Sequence, residues 1–227
     1  MNNLAIVIFS CDKNEELWPI FYHCLNKYWN NHPKTYLLTE TIQSSYFDTI
    51  NYNYDVEQWS KRIRYSLNDI KEDNIIFICD DCFLDKEVNL EKLEKSIEIL
   101  ENDGYSNIQF ELCYDGADID SKYPGFKDKT IYSAYKFSFL CGLWKKEKLI
   151  DILKVDGNPW DIECSQKYDP DKHKFMEISD EKVISWFNDG YGGNGAVKYG
   201  RWRPSVVDFL KKENIEVDFS KKGFFEE

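Results

Sequence analysis

The sequence predicts an α/β fold, a mixed and mainly parallel sheet flanked by helices, and three observations lead there. Continuous apolar runs occupy 4–10 and 75–79, as in strands covered on both faces, and 34–39 reads as a further strand. Stretches with helical apolar spacing separate them. The β-α-β-α-β-α order that results winds a parallel, right-handed sheet, and such sheets present their ligands at the carboxyl ends of the strands.

In chain order, LAIVIFS (4–10) is the first central strand and CDKNEE is a polar loop. LWPIFYHCLNKYW (17–29) is a helix with Pro19 in its first turn. KTYLLT (34–39) is the second strand. EQWSKRIRYSLNDI (57–70) puts Trp59, Ile63, Leu67 and Ile70 on one face of a helix. IIFIC (75–79) is the third buried strand, and NLEKLEKSIEIL (89–100) is a helix capped by Asn89. NIQFELCY (107–114) alternates with period 2, as an edge-like strand with one exposed face does. AYKFSFLCGLW (134–144) is an aromatic strand and KKEKLIDILK (145–154) a short helix. Five of the eleven glycines fall in 190–204, which predicts a flexible loop.

The 227 residues suggest one domain, 1–227, long enough to bury a core without staples. The net charge of −12 argues against nucleic acid as a partner. Seven scattered cysteines form no paired metal array and read as reduced, buried small hydrophobes of a cytoplasmic protein. LAIVIF is too short for a signal peptide, and no run reaches the ~20 apolar residues of a membrane span, so membrane contact is at most peripheral. Fifteen Tyr, fifteen Phe and seven Trp serve core packing or line a ligand cleft.

The run IIFICDDCFL (75–84) ends on Asp80 and Asp81, where an open α/β sheet presents its ligand. Adjacent carboxylates repel and need cations or donors close by. Mg²⁺ or Mn²⁺ fits, taking one or two protein carboxylates plus substrate phosphates and water. The alternative is that both are turn or cap residues.

Taken in order, VIFSCDKNEELW (7–18), WSKRIRYSL (59–67), IIFICDDCFL, GLWKKEKL (142–149) and NPWDIE (158–163) resemble the GT-A (Rossmann-like) class of nucleotide-sugar-dependent glycosyltransferases. More narrowly, the pieces resemble small bacterial enzymes of surface-polysaccharide synthesis. The likeness spans most of 1–165 and fades beyond it. It implies a nucleotide-sugar-binding half over about 1–115 and an acceptor half over about 116–227. It also implies a saccharide or lipid-linked acceptor and a cytoplasmic site of action, at the inner face of the cell membrane for a lipid-linked acceptor.

The resemblance carries specific roles. The family's DxD signature is here Cys79-Asp80-Asp81, which implies metal binding by Asp81, with Asp80 as a further ligand or a ribose contact. The loop Ser10-Cys11-Asp12-Lys13 would hold base and ribose, with Asp12 either contacting them or capping the next helix. Arg62 would face the donor diphosphate or lie on a solvated helix face. An inverting transfer needs a carboxylate base. The family's PWxxE pattern favours Glu163, and Asp161 is the other choice, projected by a turn at Asn158-Pro159. A retaining transfer would need neither. Trp160 could stack on a sugar. In 190–204, Lys198 and Arg201 could reach the phosphates, and Trp202 either packs the loop down or walls the acceptor site.

Two other functions are consistent with the sequence. A sugar nucleotidyltransferase would carry a glycine-rich loop after strand one, and SCDKNEE has no glycine. A non-catalytic carbohydrate- or protein-binding domain would explain the aromatics but not acids at two strand ends.

Overall fold

The computed structural model describes residues 3–52, 58–111, 116–165, 167–188 and 195–226. The strands are β1 (Leu4–Phe9), β2 (Lys34–Thr39), β3 (Asp48–Asn51), β4 (Asn74–Cys79), β5 (Asn107–Gln109), β6 (Ile119–Asp120), β7 (Phe126–Asp128), β8 (Cys141–Lys145) and β9 (Phe175–Ile178). They form one sheet in the order β3-β2-β1-β4-β8-β5-β9-β7-β6. β3, β2, β1 and β4 are parallel, β8 runs against both β4 and β5, β9 is parallel to β5, and β7 and β6 add antiparallel pairs. The mainly parallel first half is the one the sequence predicts.

Side chains of β1 and β4 alternate between two cores, as the pleat requires. Leu4, Ile6, Ile8, Ile76 and Ile78 pack with α1 (Trp18–Tyr28), α3 (Leu90–Asn102) and α6 (Val206–Lys212). Ala5, Val7, Ile75 and Phe77 pack with α2 (Trp59–Leu67), α4 (Lys146–Ile152) and α5 (Pro159–Ser165). Helices thus cover both faces. Six cysteines are described, and all are free. No helix among the described residues is long and apolar enough to cross a membrane.

Three expectations need correction. Of the 107–114 strand, 107–109 form β5, which is buried inside the sheet between β8 and β9 rather than at an edge, and 112–114 lie outside the described residues. Asn107 is accommodated by Gly142 on β8: a Cβ there would lie 2.8 Å from Asn107 Nδ2. The 134–144 strand is β8 alone, because Phe137 and Phe139 leave the ladder to pack in the second core, their rings 5.2 Å apart. The turn at Asn158-Pro159 is the start of helix α5, with Asn158 accepting the Asp161 N–H at 3.0 Å. Of 190–204, residues 190–194 lie outside the described residues, and the remainder holds a hairpin of β10 (Val197–Lys198) and β11 (Arg201–Trp202). The chain returns to it at the C-terminus, where Trp202 exchanges backbone hydrogen bonds with Gly223 and Phe225 at 3.0 and 2.8 Å.

Candidate active site at the strand ends

The site follows from strand register. Phe9 lies opposite Leu38 on β2 and opposite Cys79 on β4. The residues next in sequence, Ser10, Thr39–Glu40 and Asp80–Asp81, therefore leave the sheet side by side. Asp80 and Asp81 are 2% and 7% exposed, so both carboxyls sit in the protein rather than on it. The Trp18 Nε1–H donates to Ser10 Oγ at 2.8 Å, Ser10 donates to Asp80 Oδ2 at 2.5 Å, and Asn14 Nδ2 donates to the same oxygen at 2.9 Å. Burial, then the neighbouring Asp81, push the Asp80 carboxyl up to about 7, against the pull of those donors.

Asp81 meets the chain's C-terminal part. Its Oδ2 accepts the Val197 N–H at 3.2 Å and its carbonyl accepts the Ala196 N–H at 3.0 Å. Gly195 has φ +129°, and a Cβ there would lie 2.3 Å from Asp81 Oδ2, so glycine is required on both grounds. Burial raises the Asp81 carboxyl, while the Val197 amide and the positive Arg203 pull it back.

Cys79 Sγ and one carboxylate oxygen each of Asp80 and Asp81 lie within 4.8 Å of one another. The residues present fit a divalent ion. Two hard oxygens converge and repel, and burial keeps the Cys79 thiol protonated, which leaves an oxygen pair of the kind Mg²⁺ or Mn²⁺ takes.

Beside this pair, Asp12 accepts the N–H groups of Glu40, Thr41 and Ile42 at 3.1–3.2 Å and the Thr41 hydroxyl at 2.5 Å. Burial raises its carboxyl, and these donors outweigh burial to leave it below the usual range. Asp12 thus joins the loop after β1 to the loop after β2 instead of capping the next helix, whose turn opens at Cys11. Arg62 Nη1 lies 3.4 Å from Glu40 Oε1, and its guanidinium lies over the Tyr52 ring at 5.9 Å. Tyr52 donates to the Ser10 carbonyl at 2.7 Å. Helix α2 therefore aims Arg62 at the ends of β1 and β2.

Glu163 comes in from α5. It is buried, and its Oε1 accepts the Phe139 N–H at 2.6 Å. That amide is available because Phe139 lies outside the ladder, just before β8 begins next to the end of β4 (Ile78 opposite Cys141). Burial, against the Phe139 amide, raises the Glu163 carboxyl to about 7. Asp161 instead closes the start of α5, its carboxylate accepting the Asn158 N–H at 3.3 Å. Trp160 is 71% exposed one turn before Glu163.

Lys13 and Arg201 line one cleft with Asp12. The Lys198 ammonium lies 4.3 Å from the Phe225 ring centroid. Trp202 is fully buried with its ring 5.7 Å from that of Phe219. It packs the loop down and has no surface for an acceptor wall, which corrects one of its two expected roles.

Sequence reading missed Asn14, Glu40, Tyr52 and the Gly195–Val197 backbone. Glu40 was within its reach, since it follows β2 as Asp80 follows β4. A Ser106–His173–Asp151 array, with His173 3.1 Å from each partner, is structural: Ser106 is fully buried between strands.

No protein-family model and no curated protein matches the sequence. Among solved structures, the chain resembles TarS from S. aureus with TM-score 0.51 at 10% identity, over 82% of this chain and 36% of TarS. It thus spans about a third of that protein's length. It also resembles a mycobacterial protein, TM-score 0.51 at 10% identity, over 96% of this chain and 76% of the other. At this identity the likeness is one of fold: a mixed, Rossmann-like sheet flanked by helices.

Proposed function

We propose that this chain is a glycosyltransferase that moves a sugar from a nucleotide diphosphate donor to a saccharide or lipid-linked acceptor, with inversion and with Mn²⁺ or Mg²⁺. The observation that carries the reading is the buried Asp80–Asp81 pair at the end of β4, with Ser10 and Arg62 on one side and Glu163 on the other. In this reading Asp81 and Asp80 hold the metal, which when bound neutralises charge on the donor diphosphate. Ser10 and Asp80 meet the ribose. Arg62, drawn from Glu40, turns to the diphosphate, and Trp160 offers its exposed ring to the acceptor sugar.

Glu163 takes the proton from the acceptor hydroxyl. The hydroxyl oxygen bonds the anomeric carbon as the bond from that carbon to the phosphate oxygen breaks. The nucleoside diphosphate leaves with the electron pair. A carboxyl near 7 is ionised in a useful fraction at neutral pH and still basic enough to accept the proton. Surface-polysaccharide synthesis in the cytoplasm is the setting the sequence resemblance suggests.

The test is a panel of nucleotide sugars with Mn²⁺, scored for slow donor hydrolysis, together with calorimetry of UDP binding. Hydrolysis of one donor, abolished by Asp81→Ala with the melting temperature nearly unchanged, is expected. No binding of any nucleoside diphosphate, with or without metal, would point to a binding module. Pyrophosphate release from a nucleoside triphosphate and a sugar phosphate would point to a nucleotidyltransferase.

A further inference from the structure

Beside the acid pair is a cleft of about 480 Å³ built from three distant pieces of chain, around 12–16, 199–201 and 221–222. Four cations line it: Lys13, Arg201, Lys221 and Lys222. Among the described residues none of the four is ion-paired to a carboxylate. In a chain of net charge −12 this convergence is a product of folding, not of composition. Three acids share the walls, Asp12, Glu15 and Glu16. The Asp12 carboxylate is already occupied by the 40–42 amides.

Lys222 links the cleft to the acid pair. Its ammonium donates to the Lys13 carbonyl at 2.6 Å and to Asn14 Oδ1 at 2.9 Å, and Asn14 donates onward to Asp80 at 2.9 Å. Both acceptors are neutral, so these bonds pair Lys222 with no carboxylate and leave its third N–H available. Ammonium and guanidinium groups around a cleft of this size suit a phosphate, whose several oxygens take charge-assisted bonds at once. Glu15 and Glu16 suit hydroxyls on the same ligand.

We infer that this cleft is a phosphate-binding site completed by the C-terminal segment, with Lys221 and Lys222 joining Lys13 and Arg201 around a phosphate or diphosphate group. Where that group belongs to the nucleotide donor, the inference rests on the function proposed above; the phosphate chemistry itself does not.

The experiment is calorimetric titration of the intact chain with inorganic pyrophosphate in EDTA, which needs neither metal nor nucleoside. Wild type should bind, and binding should weaken as salt rises from 50 to 200 mM, as surface ion pairs do. Lys221→Ala/Lys222→Ala should weaken binding by about tenfold or more. Lys221→Ala alone, which leaves the Asn14 bond intact, should weaken it by about threefold. Lys71→Ala, an exposed lysine elsewhere, should change nothing. Wild type that ignores pyrophosphate, or a double variant that binds it as tightly as wild type, overturns the site.

A parallel titration with UDP names the source. Equal weakening of UDP by the double variant assigns the cleft to nucleotide phosphates. UDP behaviour untouched by the pair assigns it to another phosphorylated substrate. A chain that turns over no nucleotide sugar yet binds pyrophosphate through Lys221 and Lys222 would sink the transferase and leave the site.

Discussion

Two groups of buried carboxylates lie in this sheet, and the chain treats them in opposite ways. Around β9, Lys129 Nζ sits 2.8 Å from Asp118 and 2.7 Å from Glu177, with the side chains of Lys129 and Asp118 fully buried and that of Glu177 3% exposed. Burial works against the ammonium, and the two acids outweigh it, so Lys129 holds its proton more tightly than usual. At the end of β4, Asp80 receives only neutral donors: a hydroxyl, an amide and a thiol. Removing charges from water needs close opposite charge in return. The first group shares one cation supplied by the chain, and burial still raises the Glu177 carboxyl to about 7 against the pull of Lys129. At the second, burial raises the Asp81 carboxyl while Arg203 pulls it down by its charge, and the function proposed above completes the pair with a metal ion.

The strongest way to break the comparison is Lys129→Met. It leaves two carboxylates buried without their partner and should lower unfolding stability by about 3–5 kcal/mol in a denaturant titration. An unchanged midpoint would mean the triad contributes little, and the contrast would fail.

Next in size is the gain from metal. Mn²⁺ at about a hundred times its dissociation constant should stabilise wild type by about 3 kcal/mol in thermal melts, and Asp81→Asn should lose that gain. Equal melting curves for the two would remove Asp81 as a ligand.

Glu163→Gln sharpens the argument from a third carboxyl. The folded carboxyl titrates at about 7, above the ordinary 4.5, so folding holds its proton more tightly than the unfolded chain does. Its stabilising contribution is whole below about 4.5 and is lost as pH rises to about 7. Glutamine can still accept the Phe139 N–H, so this variant should be more stable than wild type at pH 8, by about 1–3 kcal/mol, and equal to it near pH 4.5. The same variant should lose turnover far more than donor affinity, because a base acts at the transition state. Wild-type turnover should rise with pH through about 7.

The smallest effect is expected at Asp151→Asn. Asparagine can still accept from the imidazole of His173, which burial keeps largely neutral although Asp151 pulls the other way. Stability should fall by about 1 kcal/mol, with donor hydrolysis untouched. A large loss of activity would move the Ser106–His173–Asp151 array out of its structural role.

How much was legible follows from where the signals are local. β1 and β4 stand out because a strand covered on both faces is mostly apolar, β2 stands out through its Tyr36-Leu37-Leu38 centre, and α3 announces its start with Asn89, which accepts the Lys92 N–H at 3.0 Å. Asp80 and Asp81 stand out because charge follows such a run directly. The second half offers little of this. β6 and β7 have two and three residues, too few to show a period. Phe137 and Phe139 alternate as in a strand yet serve the core from a loop. Glu163 could be preferred to Asp161 only through a resemblance, since nothing in NPWDIE reveals the amide it would meet.

The amino-acid sequence by itself determined β1, β2 and β4, the helices α1 to α4 and the place where the acids emerge, but not β3, α5 or α6. Hydrophobic periodicity and capping act over a few residues, and they act the same way in any surroundings. Tertiary structure alone decided that Gly195 presses on Asp81, that Glu163 finds the Phe139 amide and that Lys221 and Lys222 come back to Lys13. Those contacts join residues up to about 200 positions apart, and no local pattern encodes a partner at that separation.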